Sequence, residues 1–307
     1  MPFDITIKKV ALAGASGPVG QAILTELLKS ELFDMTILTR DSTTYQPPRS
    51  APTLKVIQVD YTSLPSLTHA LANQDAVIST ISPTAIPTQT LLITACIRAH
   101  VRRFLPSEYS YDFYSPTLRS LAPPPALFAA KIAIEAYLDA QVQAQASHTR
   151  TPLSYTLLFC NPLLELSLAN NLFFDAQSRT ATLHPATSSL PTSLTTLASL
   201  AKAVRRILTH PRETANRPIR IKDVDVSHQQ LVCIAQSLAA PGEKWDVRTI
   251  DDAAAAANVT SDASFAFGGK FERVHNAIFG IGEMTVAELE ERVRLTLGGH
   301  GAEEEKS

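Results

Sequence analysis

Short apolar, β-branched runs recur through the first half of the chain, separated by stretches where apolar residues return every three or four positions. Lys9–Ala13, Met35–Thr39, Leu54–Val59, Ala76–Ser79, Arg103–Ser107 and Ser154–Phe159 read as buried strands. Between them, Ile23, Leu24, Leu27 and Leu28 mark one helix face, and Leu64, Leu67, Ala70 and Leu71 a second. Further helices are expected from Pro87 to His100 and from about Ala126 to Gln145. Strands and helices that alternate in this way call for an α/β fold with a doubly wound parallel sheet.

Beyond Phe159 the pattern loosens. Leu163–Asn171 reads as a helix, Thr180–His184 as a short strand, and Ser193–Leu208 as a lead into a helix. Pro218–Lys222 and Trp245–Ile250 read as strands, and Ser227 as the cap of a helix through Leu238. Asp251 is expected to cap an alanine-rich helix, with further helices over Ala263–Phe279 and Thr285–Leu297. The expected organisation is a nucleotide-binding domain over residues 1–160 and a smaller, partly interleaved α/β substrate lobe over 161–297. An acidic tail over 298–307 is expected to be disordered.

The first strand runs into Gly14, Gly17 and Gly20, and the first helix follows at once. Strand, glycine turn and helix in this order form the phosphate-binding start of a dinucleotide fold. Gly14 lets the chain reverse, Gly17 lets backbone N–H groups approach a pyrophosphate, and Gly20 lets helix and strand pack closely. The helix N-terminus adds free donors and partial positive charge, and Pro18 suits its first turn. The second strand ends at Arg40, where an NAD site would carry an acidic residue for the ribose hydroxyl. A guanidinium suits a 2′-phosphate, so NADP(H) is the expected cofactor, although Asp41 stands beside it. Ser79–Pro83 at the end of the fourth strand is expected to lie along the cofactor. Ser107–Glu108–Tyr109, past the fifth, is expected where substrate meets the nicotinamide.

Composition narrows the class. The 307 residues are 45% apolar and 18% charged, ordinary for a globular enzyme. A net charge of −2 argues against a nucleic-acid partner. No apolar run reaches membrane-span length, so no membrane partner is expected. Met1–Pro2–Phe3–Asp4 lacks the features of a secretory leader. Cys96, Cys160 and Cys233 each lie in apolar stretches and are expected to be buried free thiols in a reducing, cytoplasmic setting, with no metal bound. A small-molecule substrate and a monomer or homodimer complete the expectation.

The residues resemble the NmrA-like and isoflavone reductase-like branch of the atypical short-chain dehydrogenases, in its fungal form. Gly14–Ala15–Ser16–Gly17–Pro18–Val19–Gly20 resembles the glycine pattern of the branch, and Arg103–Phe104–Leu105–Pro106–Ser107–Glu108–Tyr109 its narrower signature. Thr209–His210–Pro211–Arg212–Glu213–Thr214, with Asn216–Arg217, is similar to the fungal members. Lys131 falls where the reductases carry their catalytic lysine, and Leu127 stands where ordinary members have a tyrosine proton donor. The resemblance implies an NADPH-dependent reductase of a small aromatic or polyketide-like substrate, in secondary metabolism. It implies pyrophosphate contacts from Gly14, Ser16, Gly17, Val19 and Gly20, and a 2′-phosphate contact from Arg40. Ser79 and Ser107 would line the nicotinamide, and Lys131 would touch it and act as acid and oxyanion stabiliser. Tyr109, Asn161 and Leu163 would border the substrate, with an apolar lining from Phe113, Phe159, Leu164, Phe173 and Phe174. Ser110 and the run Asn161–Pro162–Leu163–Leu164 depart from the usual pattern, which implies a diverged pocket. Two other readings stay open: an NADP(H) sensor without turnover, and a non-redox isomerase or cyclase. Lys131 and Glu135 are also spaced to pair on one exposed helix face.

Overall fold

The computed structural model describes residues 6–48, 51, 54–115, 126–145, 152–185, 187–250 and 269–299. Six strands pair in parallel: β1 (Lys9–Ala13), β2 (Asp34–Thr39), β3 (Lys55–Gln58), β4 (Ala76–Ser79), β5 (Arg103–Leu105) and β6 (Ser154–Phe159). β7 (Thr180–Leu183) and β8 (Pro191–Leu194) follow, and β9 (Arg217–Arg220) then joins the sheet beside β6. The sheet order is β3-β2-β1-β4-β5-β6-β9. Chain direction across the sheet reverses between β1 and β4, and a ligand crevice forms outside the carboxyl ends at such a point. Val10–Ala13 and Ala76–Ser79 are wholly buried, as parallel strands covered on both faces must be.

The helices of this part are α1 (Pro18–Ser30), α2 (Leu64–Ala70), α3 (Gln89–Arg98) and α4 (Ala126–Gln145). Each predicted strand and helix up to Phe159 is present, with ends moved by a few residues. One difference is local: Pro83–Thr88 forms a 3-10 turn containing Pro87, and the α-helix starts only at Gln89. A proline inside regular α-helix would lose a hydrogen bond and clash with the preceding turn.

The chain divides into two compact units. The first comprises residues 1–109, 113–159 and 200–219, and the second 110–112, 160–199 and 220–307. The second contains α5 (Leu164–Ala169), β7, β8, β10 (Val224–Ser227), α7 (His228–Ser237), β11 (Asp246–Thr249), α8 (Asn276–Phe279) and α9 (Val286–Gly299), while α6 (Leu197–Thr209) runs from it into the first. β8 pairs antiparallel with β10, and β7 parallel with β11. Ser227 caps α7 with a reciprocal capping box to Gln230, as its position predicted. Of the helix expected over Ala263–Phe279, residues 263–268 lie outside the described residues, Gly269–His275 is not helical, and α8 is the helical part of the rest. The helix expected after Asp251 and the acidic tail lie outside the described residues. Cys96 and Cys160 are buried free thiols, but Cys233 is exposed. Its neighbours Leu231 and Val232 face the core, and the helical rotation turns position 233 outward.

Arg103 holds the far side of the first unit together. Its guanidinium is 1% exposed and has no carboxylate partner among the described residues. It donates from Nε to Ser154 Oγ (3.0 Å), from Nη1 to Thr156 Oγ1 (2.7 Å) and Thr214 Oγ1 (3.1 Å), and from Nη2 to the Pro211 carbonyl. Burial lowers its pKa to about 10, so it stays a cation at neutral pH. The Pro211–Thr214 segment that resembles the fungal members is therefore a clip onto β5 and β6. Asn216 extends it, exchanging bonds with the backbone of Tyr155. Arg103→Met should lower the urea midpoint by the equivalent of about 1–3 kcal/mol, the scale of buried acceptors left without a donor. An unchanged midpoint would show that the clip does not carry this load.

Candidate active site

The glycine turn works by close approach at the point where the sheet order reverses. Gly14 has φ +89°, and a Cβ there would stand 2.5 Å from the Thr80 carbonyl oxygen. A Cβ on Gly20 would stand 2.3 Å from the Gly14 carbonyl oxygen. Thr80 closes the seam: its N–H donates to the Ala13 carbonyl (2.8 Å), and its hydroxyl to the carbonyls of Ala13 and Gly14 (both 2.9 Å). The protein itself therefore needs Gly14 and Gly20. Gly17 differs. It caps α1 at φ −79°, and its Cβ would meet only the Gly14 oxygen, at 3.8 Å. No side chain caps the first turn of α1. Nothing in the fold requires glycine at 17, so the open cradle fits a ligand such as a pyrophosphate. Ser16 is exposed and Val19 half-buried at the rim of this turn.

Arg40 follows β2 directly, is exposed, and forms no ion pair with a described residue. Asp41 does not neutralise it. The Asp41 carboxylate instead accepts from the Thr43 N–H (2.8 Å) and hydroxyl (2.6 Å), and these bonds hold its pKa below the usual range. Tyr61 lies near the guanidinium and donates its hydroxyl to the Leu38 carbonyl (3.2 Å).

At the ends of β4 and β5, Ser79 is fully buried and its hydroxyl has no hydrogen-bond partner among the described residues. The Ser107 hydroxyl donates to the Ile81 carbonyl (3.0 Å), and its N–H to Gln89 Oε1 (2.9 Å). Thr80, within the expected Ser79–Pro83 stretch, and Gln89, which no motif marked, are thus positioning residues. For Gln89 a signal existed, since a lone amide falls on the apolar face defined by Ile86, Leu92, Ile93 and Cys96.

Lys131 and Glu135 are buried, at 5% and 2% exposure, which overturns the exposed surface pair. The apolar face of α4 turns both inward. Lys131 Nζ donates to the Glu108 carbonyl, just past β5, and lies 4.0 Å from Glu108 Oε2. Nζ also sits 5.6 Å from the Phe113 ring centroid, and Phe128 and Phe159 pack on that ring. Burial pushes the Glu108 carboxyl up to about 7, against the opposing pull of Lys131. Tyr109 follows at φ +28°, an uncommon backbone for an aromatic residue, and is buried.

Asn161 and Leu163 belong to the second unit. Asn161 has φ +52° and donates Nδ2 to the Gly269 carbonyl (2.9 Å), while Leu163 bridges to Thr195. Leu164, Phe173 and Phe174 are core residues of this unit, packed with Leu168, Leu194 and Val226, and are not a lining. Phe113 and Phe159 lie instead in the first unit, around Lys131.

Comparison with known sequences decides the family. The sequence family described as NAD(P)H-binding matches residues 14–211, beginning at the first glycine of the turn. The chain belongs to the NAD(P)H-binding family. Within it, the chain is 30% identical over 243 residues to the Aspergillus flavus protein named Oxidoreductase aprR, covering 79% of this chain and 77% of that protein. By family, then, this is an NAD(P)H-dependent oxidoreductase. Among solved structures, leucoanthocyanidin reductase–NADPH from Vitis vinifera superposes with a TM-score of 0.69 at 16% identity, over 94% of this chain and 99% of that one. An isoflavone reductase superposes at 0.64 and 17% identity, over 90% and 86%. These likenesses establish an isoflavone reductase-like fold. No helix among the described residues is long and apolar enough to cross a membrane.

The three glycines of this family turn can be separated by experiment. Gly17→Val should abolish nucleotide binding in calorimetric titration while leaving the thermal midpoint within a few degrees, because the open side accepts a Cβ. Gly20→Ala should instead lower the midpoint, since its Cβ meets backbone. Normal binding by Gly17→Val would move the cofactor elsewhere.

Proposed function

We propose that this chain is an NADPH-dependent reductase of a small aromatic or polyketide-like electrophile. The bound nicotinamide would supply a hydride. The chain holds the dinucleotide through the N–H groups of the Gly14–Gly20 turn and the 2′-phosphate through Arg40. Ser79 and Ser107 border the nicotinamide half, and Tyr109 the substrate. Lys131 stabilises the oxyanion that hydride addition leaves, and gives it a proton.

One observation carries this reading. A buried ammonium stands at the carboxyl end of β5, anchored on the Glu108 carbonyl, in a helix where Leu127 occupies the usual tyrosine position. A fixed positive charge in a water-poor, aromatic setting stabilises developing negative charge without reorganisation. The buried rings of Phe113, Phe128 and Phe159 pack around it and keep its surroundings apolar. The guanidinium of Arg40, in no ion pair with a described residue, supports the phosphorylated cofactor over NADH.

Two measurements test the reading. Titration with NADPH and NADH should show tighter binding of NADPH, and Arg40→Ala should lose about 1.5–3 kcal/mol of that preference, the scale of a hydrogen bond to a charged group. Equal affinities in the unaltered protein would remove the assignment of Arg40. Lys131→Ala should lower turnover by roughly 10²–10³, the loss typical of one missing oxyanion donor, with a much smaller effect on NADPH affinity. Lys131→Arg should also be impaired, since guanidinium keeps its proton at usable pH. Undiminished turnover in Lys131→Ala would end the catalytic role of Lys131, whereas an unaltered protein that oxidises no NADPH with any such electrophile would leave the sensor and non-redox readings.

A further inference from the structure

Glu108 has no part in the chemistry above, yet its placement is costly. Its side chain is 0% exposed, and neither carboxylate oxygen has a hydrogen-bond partner among the described residues. A buried carboxylate in that condition is unfavourable unless a charge nearby compensates it. The compensating charge is Lys131, whose Nζ stands 4.0 Å from Oε2. The contact is through space: the ammonium donates to the carbonyl of Glu108 and not to its carboxylate. One residue thus fixes the position of the ammonium with its backbone and faces it with its side chain.

We propose that Glu108 is a positioning residue that keeps Lys131 protonated in its buried site. The proposal rests on the reading of Lys131 as proton donor. Burial among aromatic rings favours the neutral amine, which cannot donate a proton to an oxyanion. A carboxylate at 4.0 Å opposes that effect. The Glu108 charge develops as pH rises through about 7, and from there upward it resists loss of the Lys131 proton. The two groups titrate as a coupled pair. Among the described residues, titratable groups nearby include Glu135, one turn further along α4, Tyr109 beside Glu108, Tyr114, and Tyr155 on β6. Tyr155 donates to Asp139 and feels both Glu135 and Tyr114.

The sign follows directly. Removing a negative charge beside an ammonium lowers the pKa of the ammonium, so activity that needs the ammonium fails at lower pH. The decisive measurement follows the lysine resonances of [13C]lysine-labelled protein without nucleotide, with Lys131 assigned by its loss in Lys131→Met. Glu108→Gln should move the Lys131 midpoint down by about 1–3 pH units, the effect of one opposite charge at this range. The alkaline limb of kcat/KM should move down with it. A residue that only supports the fold would change the thermal midpoint and leave the Lys131 titration in place. Glu135→Gln should give the smaller shift; a larger one than Glu108→Gln would overturn the proposal, as would an unmoved midpoint. Should Glu108→Gln not fold, the unaltered protein still decides: over about pH 4–11 the Lys131 resonance should show a second, minor inflection where the neighbouring carboxyl ionises, and a single-step titration over that range overturns the proposal. A shifted resonance with an unshifted rate profile would support the Glu108 role and overturn Lys131 as donor, so the two readings fail separately.

Discussion

The first unit depends on a contact in which backbone meets backbone with no side chain between. β1 and β4 are parallel neighbours whose carboxyl ends carry Gly14 and Thr80, and the space between those residues admits no Cβ. Thr80 then ties both ends together through its N–H and hydroxyl. The same tightness brings α1 onto the turn at Gly20 and aims its uncapped first N–H groups along the end of the sheet. A cradle that fits a phosphate is therefore a by-product of how the strand, turn and helix pack. Only Gly17 is left without a structural reason of its own.

Buried charge is handled in two different ways in this unit. Arg103 is compensated by four neutral acceptors drawn from β5's neighbour β6 and from the Pro211–Thr214 segment, so it acts as a rigid cross-link. Dipoles of this kind hold a cation without offering it any alternative protonation state. Lys131 and Glu108 instead face each other across 4.0 Å, with the carboxylate given no hydrogen-bond donors among the described residues. Both can change protonation, and each state of one alters the other. The first arrangement suits a scaffold and the second suits a site that exchanges a proton. Both stem from the same strand, since Arg103 begins β5 and Glu108 lies just beyond its end.

Much of the fold was legible in the sequence because its determinants are local. Strands buried on both faces are continuous apolar runs, helices covering them repeat every three to four residues, and the boundaries carry glycine, proline or serine caps. The glycine turn was legible for the same reason: its three roles depend on spacing within seven residues, and the structure assigns Gly14 and Gly20 the conformational and packing parts expected of them. Arg40 was visible as the residue that follows the apolar run of β2. The signal weakened past Phe159, where strands are four residues long and pair across distant segments, as β8 does with β10.

What only the tertiary structure decided were the pairings between distant positions and the facing of side chains. Asp41 could have neutralised Arg40, but its carboxylate is folded back onto Thr43. Lys131 and Glu135 have the spacing of a solvated helix pair, yet both are buried, because the face of α4 that carries them turns inward. Phe173 and Phe174 read as well for a pocket lining as for a core, and packing with α5 and β8 made them core. Cys233 lies in an apolar run and is exposed through the rotation of α7. Periodicity records which residues share a face; it does not record what that face meets, and burial, protonation and partner choice all follow from what it meets.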